Sequence, residues 1–302
     1  MTACELIDRY LAHSRATNLC CAEAMAHREK RLRSFAAHLG DRALSECAPF
    51  VLADWIDANH NWRSPSTRRG VANMVNAAFN WAARQKRIPA NPFAGISYPE
   101  SEPRAPMPDD KLEVLAQLAN KPFERALRFL RLTGCRVSEM CTLRWEDVDL
   151  ERAVAFIPRH KARKRTHKAK LIVLVAEAVE LLVEARRGQV GLGTPASVNA
   201  EQAGPVFVNN CGRPWTRRTL AQQLARMKKR FGLKDLPATL HGIRHQFGTQ
   251  AIKNGANLKL LSLQMGHTST AVTEKFYVHL DRDADALRQA AEAAKPRRQQ
   301  SS

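Results

Sequence analysis

Two short segments in the second half of the chain place arginine and histidine at spacings that suit phosphate binding. Residues 133–139 read Thr-Gly-Cys-Arg-Val-Ser-Glu, in which Gly134 is typical of a helix end and Arg136 of the next helix start. A helix N-terminus carries partial positive charge and free N–H groups, so Arg136 could hold a phosphate there through paired hydrogen bonds. Taken alone, a surface arginine at a helix start is an equally good interpretation.

The second segment, residues 240–245, reads Leu-His-Gly-Ile-Arg-His. His241 and Arg244 are three residues apart, so on a helix they share a face. A phosphate on that face would meet a proton donor and a fixed positive charge together. Taken alone, a partly buried histidine beside a solvated arginine is the better interpretation.

A histidine and a tyrosine follow later in the chain. Residues 264–267 read Gln-Met-Gly-His, and Gly266 can end a helix so that His267 faces a cleft. Tyr277 lies ten residues beyond His267, within Glu-Lys-Phe-Tyr-Val-His. Tyrosine can act as a nucleophile in covalent catalysis. Because most tyrosines are packing residues, Tyr277 by itself indicates this role only weakly.

A strongly basic segment, residues 159–170, separates two apolar runs that predict the strands of a hairpin, Val154–Pro158 and Leu171–Val175. It holds seven Lys and Arg residues and no acid, which favours contact with a DNA backbone. A second interpretation places one of its lysines in a groove or at a reacting oxygen. The candidate DNA contacts are Arg159, Lys161, Arg163, Arg165, Lys168 and Lys170.

The overall charge points to the same kind of partner. Lys and Arg total 48 against 29 Asp and Glu, a net charge of +19, and such an excess favours a polyanion because phosphate contacts release counterions. Charge alone does not separate DNA, RNA and an anionic membrane. No run approaches the roughly 20 apolar residues of a membrane span. The start of the chain does not resemble a secretory signal, so a cytoplasmic protein is expected.

The cysteine pattern argues against a zinc site. None of the seven cysteines forms a CxxC pair, and an odd number without a secretory signal fits reduced thiols. We expect neither a metal ion nor another cofactor.

The elements that must position these residues divide into two predicted domains. Residues 1–97 read as helical, with helices at Ala22–Leu39 and Ser66–Gln85. Ser64-Pro65 predicts the start of the second helix, and Asn91-Pro92 is a stop signal.

The rest of the chain reads as a linker (98–108), a second domain (109–281) and a tail (282–302). The linker is rich in proline, and the stretch Gly188–Gly204 reads as a loop. Helices are predicted at Asp109–Asn120, Pro122–Thr133, Arg136–Leu143, Ala176–Arg187, Thr216–Phe231, Gly242–Asn254 and Lys259–Met265.

Together these segments resemble the tyrosine recombinase (phage integrase) family. The matching motifs, with the basic hairpin between the first two, are TGCRVSEMCTLRWEDVDL, LHGIRHQFGTQAI and LLSLQMGHTSTAVTEKFYVHL. They occur in the family's order across roughly residues 107–281, which is more specific than any one motif. Residues 1–97 resemble the family's helical core-binding domain. The resemblance implies a mainly α fold with a mixed α+β catalytic domain that contains a small antiparallel sheet.

The resemblance also implies roles for individual residues. Tyr277 would be the nucleophile, and Arg136 and Arg244 would hold the non-bridging oxygens of the scissile phosphate. His241 would assist proton transfer, and His267 would donate to the phosphate. Glu139 and Asp147 match supporting positions.

The hairpin departs from the family pattern. Counted back from the second strand, the position usually held by a lysine, which protonates the leaving 5′ oxygen, is Arg165. Arginine is a poor general acid because it stays protonated. A shift of one residue gives Lys164, which we predict to be the acid, and Lys161 and Lys168 are further candidates.

The implied activity is site-specific DNA recombination through a covalent 3′-phosphotyrosine, with four subunits acting on two double-stranded DNA sites. The tail 282–302 could be exchanged between subunits, and its end is expected to be disordered. One alternative is a relaxase similar to type IB topoisomerases. Another is a catalytically inactive DNA-binding protein of the same fold. An RNA-binding protein would explain the charge but none of the motifs.

Overall fold

A computed structural model of the chain describes residues 2–96, 98, 107–157, 170–190, 204–233, 235–236 and 238–266. By its internal contacts the chain divides into two compact units, Met1–Pro103 and Arg104–Ser302. The division falls inside the stretch 98–108, for which a linker is predicted. The predicted tail, residues 282–302, lies outside the described residues.

The first unit is helical, and local capping explains where its helices begin. The Thr2 hydroxyl accepts from the Glu5 N–H at 3.2 Å, and the Glu5 carboxylate accepts from the Thr2 N–H at 3.1 Å. The fourth helix begins after Ser64, as predicted, because the Ser64 hydroxyl accepts from the Thr67 N–H at 3.2 Å and Pro65 tolerates the first turn. The elements are α1 (Ala3–Ala16), α2 (Ala22–Leu39), a 3-10 turn (Leu44–Glu46), α3 (Pro49–Asp57) and α4 (Pro65–Arg84).

The end of α4 agrees with the predicted helix, Ser66–Gln85, to within one residue. The helix ends at Arg84, before the stop signal at Asn91-Pro92, and Lys86 adopts a positive φ of 53°. Asn91 instead fastens the following segment to the helix, since its side-chain amide donates to Asn76 at 2.7 Å and to Asn80 at 2.9 Å. A proline prevents a helix from continuing through its position, but the helix can end several residues earlier.

Aromatic side chains fill the centre of the first unit. The rings of Phe35 and Phe79 lie 5.4 Å and 4.7 Å from the ring of Phe93, and all three side chains are fully buried. Both contacts are edge to face, which the charge distribution of aromatic rings favours. Phe93 follows α4 in the chain, so its burial explains why the segment after α4 turns back towards the core.

The second unit combines helices with a small antiparallel sheet, which confirms the predicted fold class. In the sheet, ordered β1-β2-β3, Phe156 lies opposite Leu171, so the predicted hairpin is confirmed. Its turn, residues 158–169, lies outside the described residues. Strand β1 is not predicted, because two residues cannot show an alternating pattern. The elements are α5 (Asp109–Leu118), α6 (Lys121–Thr133), α7 (Val137–Thr142), β1 (Val148–Asp149), β2 (Val154–Ile157), β3 (Lys170–Val173), α8 (Ala176–Val190), α9 (Arg217–Arg230), α10 (Leu240–Lys253) and α11 (Leu258–Met265).

Helix α6 carries much of the core of the second unit. It buries Phe123, Phe129 and Leu130 and packs against α8 and α10. The Asn120 side chain caps its start by accepting from the Phe123 N–H at 3.1 Å. Gly134 ends the helix with a left-handed φ of 60°, as predicted. The chain therefore turns sharply at the start of the first motif.

The loop predicted from Gly188 begins too early. Helix α8 continues through Gly188 to Val190. Gln189 accounts for the extension, because its side chain accepts from the Trp145 indole N–H at 2.8 Å and donates to the Val206 carbonyl at 2.8 Å. These buried contacts outweigh the penalty of about 1 kcal/mol for glycine in a helix.

Replacing Phe79 by alanine should strongly destabilise the first unit. The side chain is fully buried, so we expect the free energy of unfolding to fall by about 3–5 kcal/mol. Phe50→Ala is the matched control, because Phe50 is 62% exposed and its loss should cost less than about 0.5 kcal/mol. Urea unfolding followed by circular dichroism measures both variants, and equal losses would contradict the placement of Phe79 in the core.

Candidate active site

The carboxylate of Glu139 lies at the centre of a buried group of charges. Glu139 is the third residue of α7 and is 2% exposed. Its Oε1 accepts from Arg136 Nη1 at 2.7 Å, and its Oε2 accepts from the Lys170 ammonium at 2.8 Å and the Arg136 backbone N–H at 2.9 Å. Burial by itself raises the pKa of Glu139, but Lys170 and Arg136 outweigh this effect and lower the pKa. Glu139 is therefore ionised at neutral pH.

The Arg136 guanidinium links this carboxylate to the end of α11. Its Nη2 donates to the Gly266 carbonyl at 2.8 Å. Gly266 follows the last residue of α11, where carbonyls lack helical partners and carry partial negative charge. The Arg136 side chain is 29% exposed, so it is less deeply buried than Arg244.

Arg244 holds the same helix end from α10. It is 4% exposed, and it donates from Nη1 to the Gly134 carbonyl at 2.6 Å and from Nη2 to the Met265 carbonyl at 2.7 Å. Burial lowers the pKa of Arg244 to about 10, and the charge of Arg136 adds to the effect. Arg244 stays protonated at neutral pH. The two guanidiniums therefore meet at the adjacent carbonyls of Met265 and Gly266.

Two glycines beside this group of charges let neighbouring side chains pack closely against the backbone. A Cβ on Gly134 would lie 2.2 Å from the Phe247 ring, and one on Gly266 would lie 2.8 Å from the Lys170 side-chain carbons. Both glycines have a positive φ, 60° and 67°, which side chains disfavour. Backbone conformation thus favours glycine at both positions, and at Gly134 the Phe247 ring also occupies the space of a side chain.

Helix α10 buries Arg244 and exposes His241. The two residues taken alone favoured the reverse, a partly buried histidine beside a solvated arginine. The Thr239 hydroxyl caps the helix by accepting from the Gly242 N–H at 2.9 Å. His241 lies in the first turn, and its ring is 4.7 Å from the His245 ring at an interplanar angle of 84°. His241 is thus exposed one turn before the buried Arg244, and its part in the chemistry stays a prediction.

Asp147 does not join this group of charges. It ends a 3-10 turn, Trp145–Asp147, before β1, and its carboxylate is half-buried. Burial raises the pKa of Asp147. Within the described ranges, it forms no ion pair with Arg136 or Arg244. Its supporting role stays a prediction.

Lys170 is buried, although it is predicted to contact DNA. It is 6% exposed, and its ammonium lies 2.8 Å from Glu139. A buried ammonium cannot reach a duplex, so the structure corrects this expectation. Strand alternation places Lys170 on one face of β3 with Ile172, but the following run is apolar on both faces, so the sequence does not show which face is buried.

Of the predicted site residues, the structure brings Arg136, Glu139 and Arg244 together. Lys170 and Gly266 join them without having been predicted to do so. Apart from Asp147 and His241, whose places are given above, the remaining predicted residues lie outside the described part of the chain, and their roles stay predictions. They are Arg159, Lys161, Arg163, Lys164, Arg165, Lys168, His267 and Tyr277.

Residues 107–283 match the model of the phage integrase family. The chain is 26% identical to the tyrosine recombinase XerD of Ralstonia nicotianae, over 80% of this chain and 78% of that protein. It is 27% identical to the tyrosine recombinase XerC of Roseiflexus castenholzii, over 93% of this chain and 90% of that protein. The similarity to these relatives extends well beyond the residues that the family model covers.

The fold is similar to those of solved integrases. The Tn1549 transposon integrase in complex with transposon right end DNA matches with a TM-score of 0.78 and 22% identity, over 97% of this chain and 99% of that chain. A lambda integrase tetramer bound to a Holliday junction matches with a TM-score of 0.71 and 17% identity, over 91% of this chain and 77% of that chain. At these identities the likeness concerns the fold.

Gly134→Ala should damage both stability and any activity of the site. A left-handed alanine costs about 1–2 kcal/mol, and the overlap with Phe247 should add about 1–3 kcal/mol. Gly232→Ala is the matched control, because Gly232 has a φ of 66° but open space around it. Thermal unfolding measures both losses. If they were equal, the contact between Gly134 and Phe247 would not matter.

Proposed function

The chain belongs to the phage integrase family, and from that premise we propose that it is a site-specific tyrosine recombinase that cuts and rejoins DNA through Tyr277. The observation that carries the proposal is the meeting of Arg136 and Arg244 beside Glu139, at the end of α11. The transition state of phosphoryl transfer gathers negative charge on its non-bridging oxygens, and fixed cations stabilise that charge. A pair of guanidiniums held by backbone carbonyls and a carboxylate supplies such cations in a fixed arrangement.

The reaction would proceed in two balanced steps. The Tyr277 phenol oxygen attacks the phosphorus, the bond to the 5′ oxygen breaks, and a 3′-phosphotyrosine forms. The phenol proton of Tyr277 must be taken up during attack, for which His241 is the proposed acceptor. Lys164 would give a proton to the leaving 5′ oxygen, and His267 would donate to the phosphate. Attack by a 5′ hydroxyl of another duplex then reverses the chemistry and completes strand exchange.

The proposed partner is double-stranded DNA, bound by a homotetramer that joins two sites. The relatives solved with transposon end DNA and with a Holliday junction support DNA as the partner. The net charge of +19 fits a duplex held mainly through its phosphates. Among the described helices, none is long and apolar enough to cross a membrane. The first unit would act as the core-binding domain and the second as the catalytic domain.

Tyr277→Phe should abolish the covalent protein–DNA adduct and leave DNA binding unchanged. The substitution removes the attacking oxygen and keeps the aromatic ring. Adducts trapped on a nicked suicide substrate measure the effect, and mapping the junction also identifies the DNA site. Tyr98→Phe is the matched control, which should form adducts at the wild-type level.

The same experiment separates the alternatives. A wild-type protein that binds DNA but forms no adduct would support the inactive DNA-binding protein. A protein that forms adducts and relaxes supercoils without needing two specific sites would support the relaxase. An adduct that persists in Tyr277→Phe would contradict the proposed nucleophile.

DNA affinity should fall steeply with salt. If six to ten phosphates are contacted, the binding constant should drop by roughly 10³–10⁵ between about 50 and 200 mM salt. Fluorescence anisotropy with a labelled duplex measures the slope. A nearly flat response would contradict a duplex held through its backbone.

A further inference from the structure

We propose that Lys170 is a positioning residue of the active site, whose buried ammonium holds the Glu139 carboxylate so that Glu139 can orient the Arg136 guanidinium. The inference rests on the proposed recombinase function, because it assigns Lys170 a part in that reaction. It replaces the predicted DNA contact with an internal role.

The two carboxylate oxygens of Glu139 accept hydrogen bonds from different groups. Oε1 accepts from the Arg136 guanidinium at 2.7 Å, whereas Oε2 accepts from Lys170 at 2.8 Å and from the Arg136 backbone N–H at 2.9 Å. Without Lys170, the carboxylate could rotate towards Arg136 and take up more of its charge. With Lys170 in place, its ammonium holds Oε2, and the carboxylate contacts the Arg136 guanidinium through the pair Oε1–Nη1.

Charge balance favours the same role. Arg136, Arg244 and Lys170 are cations, and Glu139 is the carboxylate that they surround, so the group keeps an excess of positive charge. Lys170 offsets Glu139, which leaves the charges of both arginines for a phosphate. Removing Lys170 would let Glu139 cancel one of those arginine charges at the point where a transition state needs it.

Lys170 also packs against Gly266, whose carbonyl is the second acceptor for the Arg136 guanidinium. The Lys170 side-chain carbons pack against Gly266, close to where a Cβ would lie, and the Gly266 carbonyl accepts from Arg136 Nη2 at 2.8 Å. Strand β3 is joined to α11 near this point, because the Gln264 amide group bonds to both the N–H and the carbonyl of Val173, each at 3.0 Å. Lys170 thus lies between the two groups that orient Arg136.

The rival role is that of the general acid, since Lys170 lies in the same group of charges as the arginines. Its geometry argues against this role. The ammonium is buried and donates to a carboxylate, while an acid must reach the leaving 5′ oxygen. The two roles predict opposite results for a substrate that needs no acid.

The experiment compares Lys170→Met and Lys170→Arg with wild type in single-turnover cleavage. One substrate is an ordinary duplex, and the other carries sulphur in place of the scissile 5′ oxygen, so its thiolate leaves without a proton. We expect Lys170→Met to cleave both substrates on the order of 10²-fold more slowly, with unchanged DNA affinity. Lys170→Arg should regain most of the rate, because arginine can donate to Glu139 but is a poor acid.

Lys121→Met is the matched control. It removes a lysine that pairs with Glu124 at 3.0 Å, but the Lys121 side chain is 79% exposed and lies on α6 outside the group of charges, so cleavage should not change. Wild-type cleavage rates in Lys170→Met would overturn the proposal. Rescue of Lys170→Met by the sulphur substrate would make Lys170 the acid, and a parallel loss of DNA affinity would make it a DNA contact.

Stability measurements keep the inference testable if Lys170→Met folds poorly. A double-mutant cycle of Lys170→Met, Glu139→Gln and the double variant measures their coupling, and the double variant should lose less stability than the sum of the two single losses. Additive losses would show that the two residues are not coupled and would overturn the proposal. Failure of wild type to form an adduct would instead reject the recombinase function, while the Lys170–Glu139 coupling would still be measured.

Discussion

The arrangement of the candidate site depends on the Glu139 carboxylate. An ionised acid that is removed from water must be matched by cations and hydrogen-bond donors. Arg136 at the start of α7 and Lys170 at the start of β3 supply them. Removing one partner of a buried pair typically costs about 3–5 kcal/mol, since the other charge is left uncompensated. The same charges therefore join the sheet to α7 and shape the site.

The end of α11 extends this arrangement. Its last carbonyls, at Met265 and Gly266, accept from Arg244 and Arg136. Carbonyls at a helix C-terminus have no helical partners, so cations are stabilised there. His267, the predicted phosphate donor, is the next residue in the sequence after Gly266.

Local chemistry explains which parts of the fold are predictable. Ser64 caps α4, and Gly134 and Gly266 end helices at positive φ, where the sequence predicts. The end of α4 at Arg84 lies within one residue of the predicted Gln85, but the sequence does not predict the path of the chain beyond it, which is set by the burial of Phe93 in the core. A cap acts within one turn, whereas burial depends on residues far away in the sequence.

The sequence by itself determined the members of the charged group that belong to motifs: Arg136, Glu139 and Arg244 are identified by residue type and order. Tertiary structure alone decided that Lys170 is buried against Glu139, 31 positions away, and that Arg244 rather than His241 is the buried residue of its pair. The physical reason is that spacing within one element is written in local sequence, whereas the pairing of charges between elements arises only when those elements pack together.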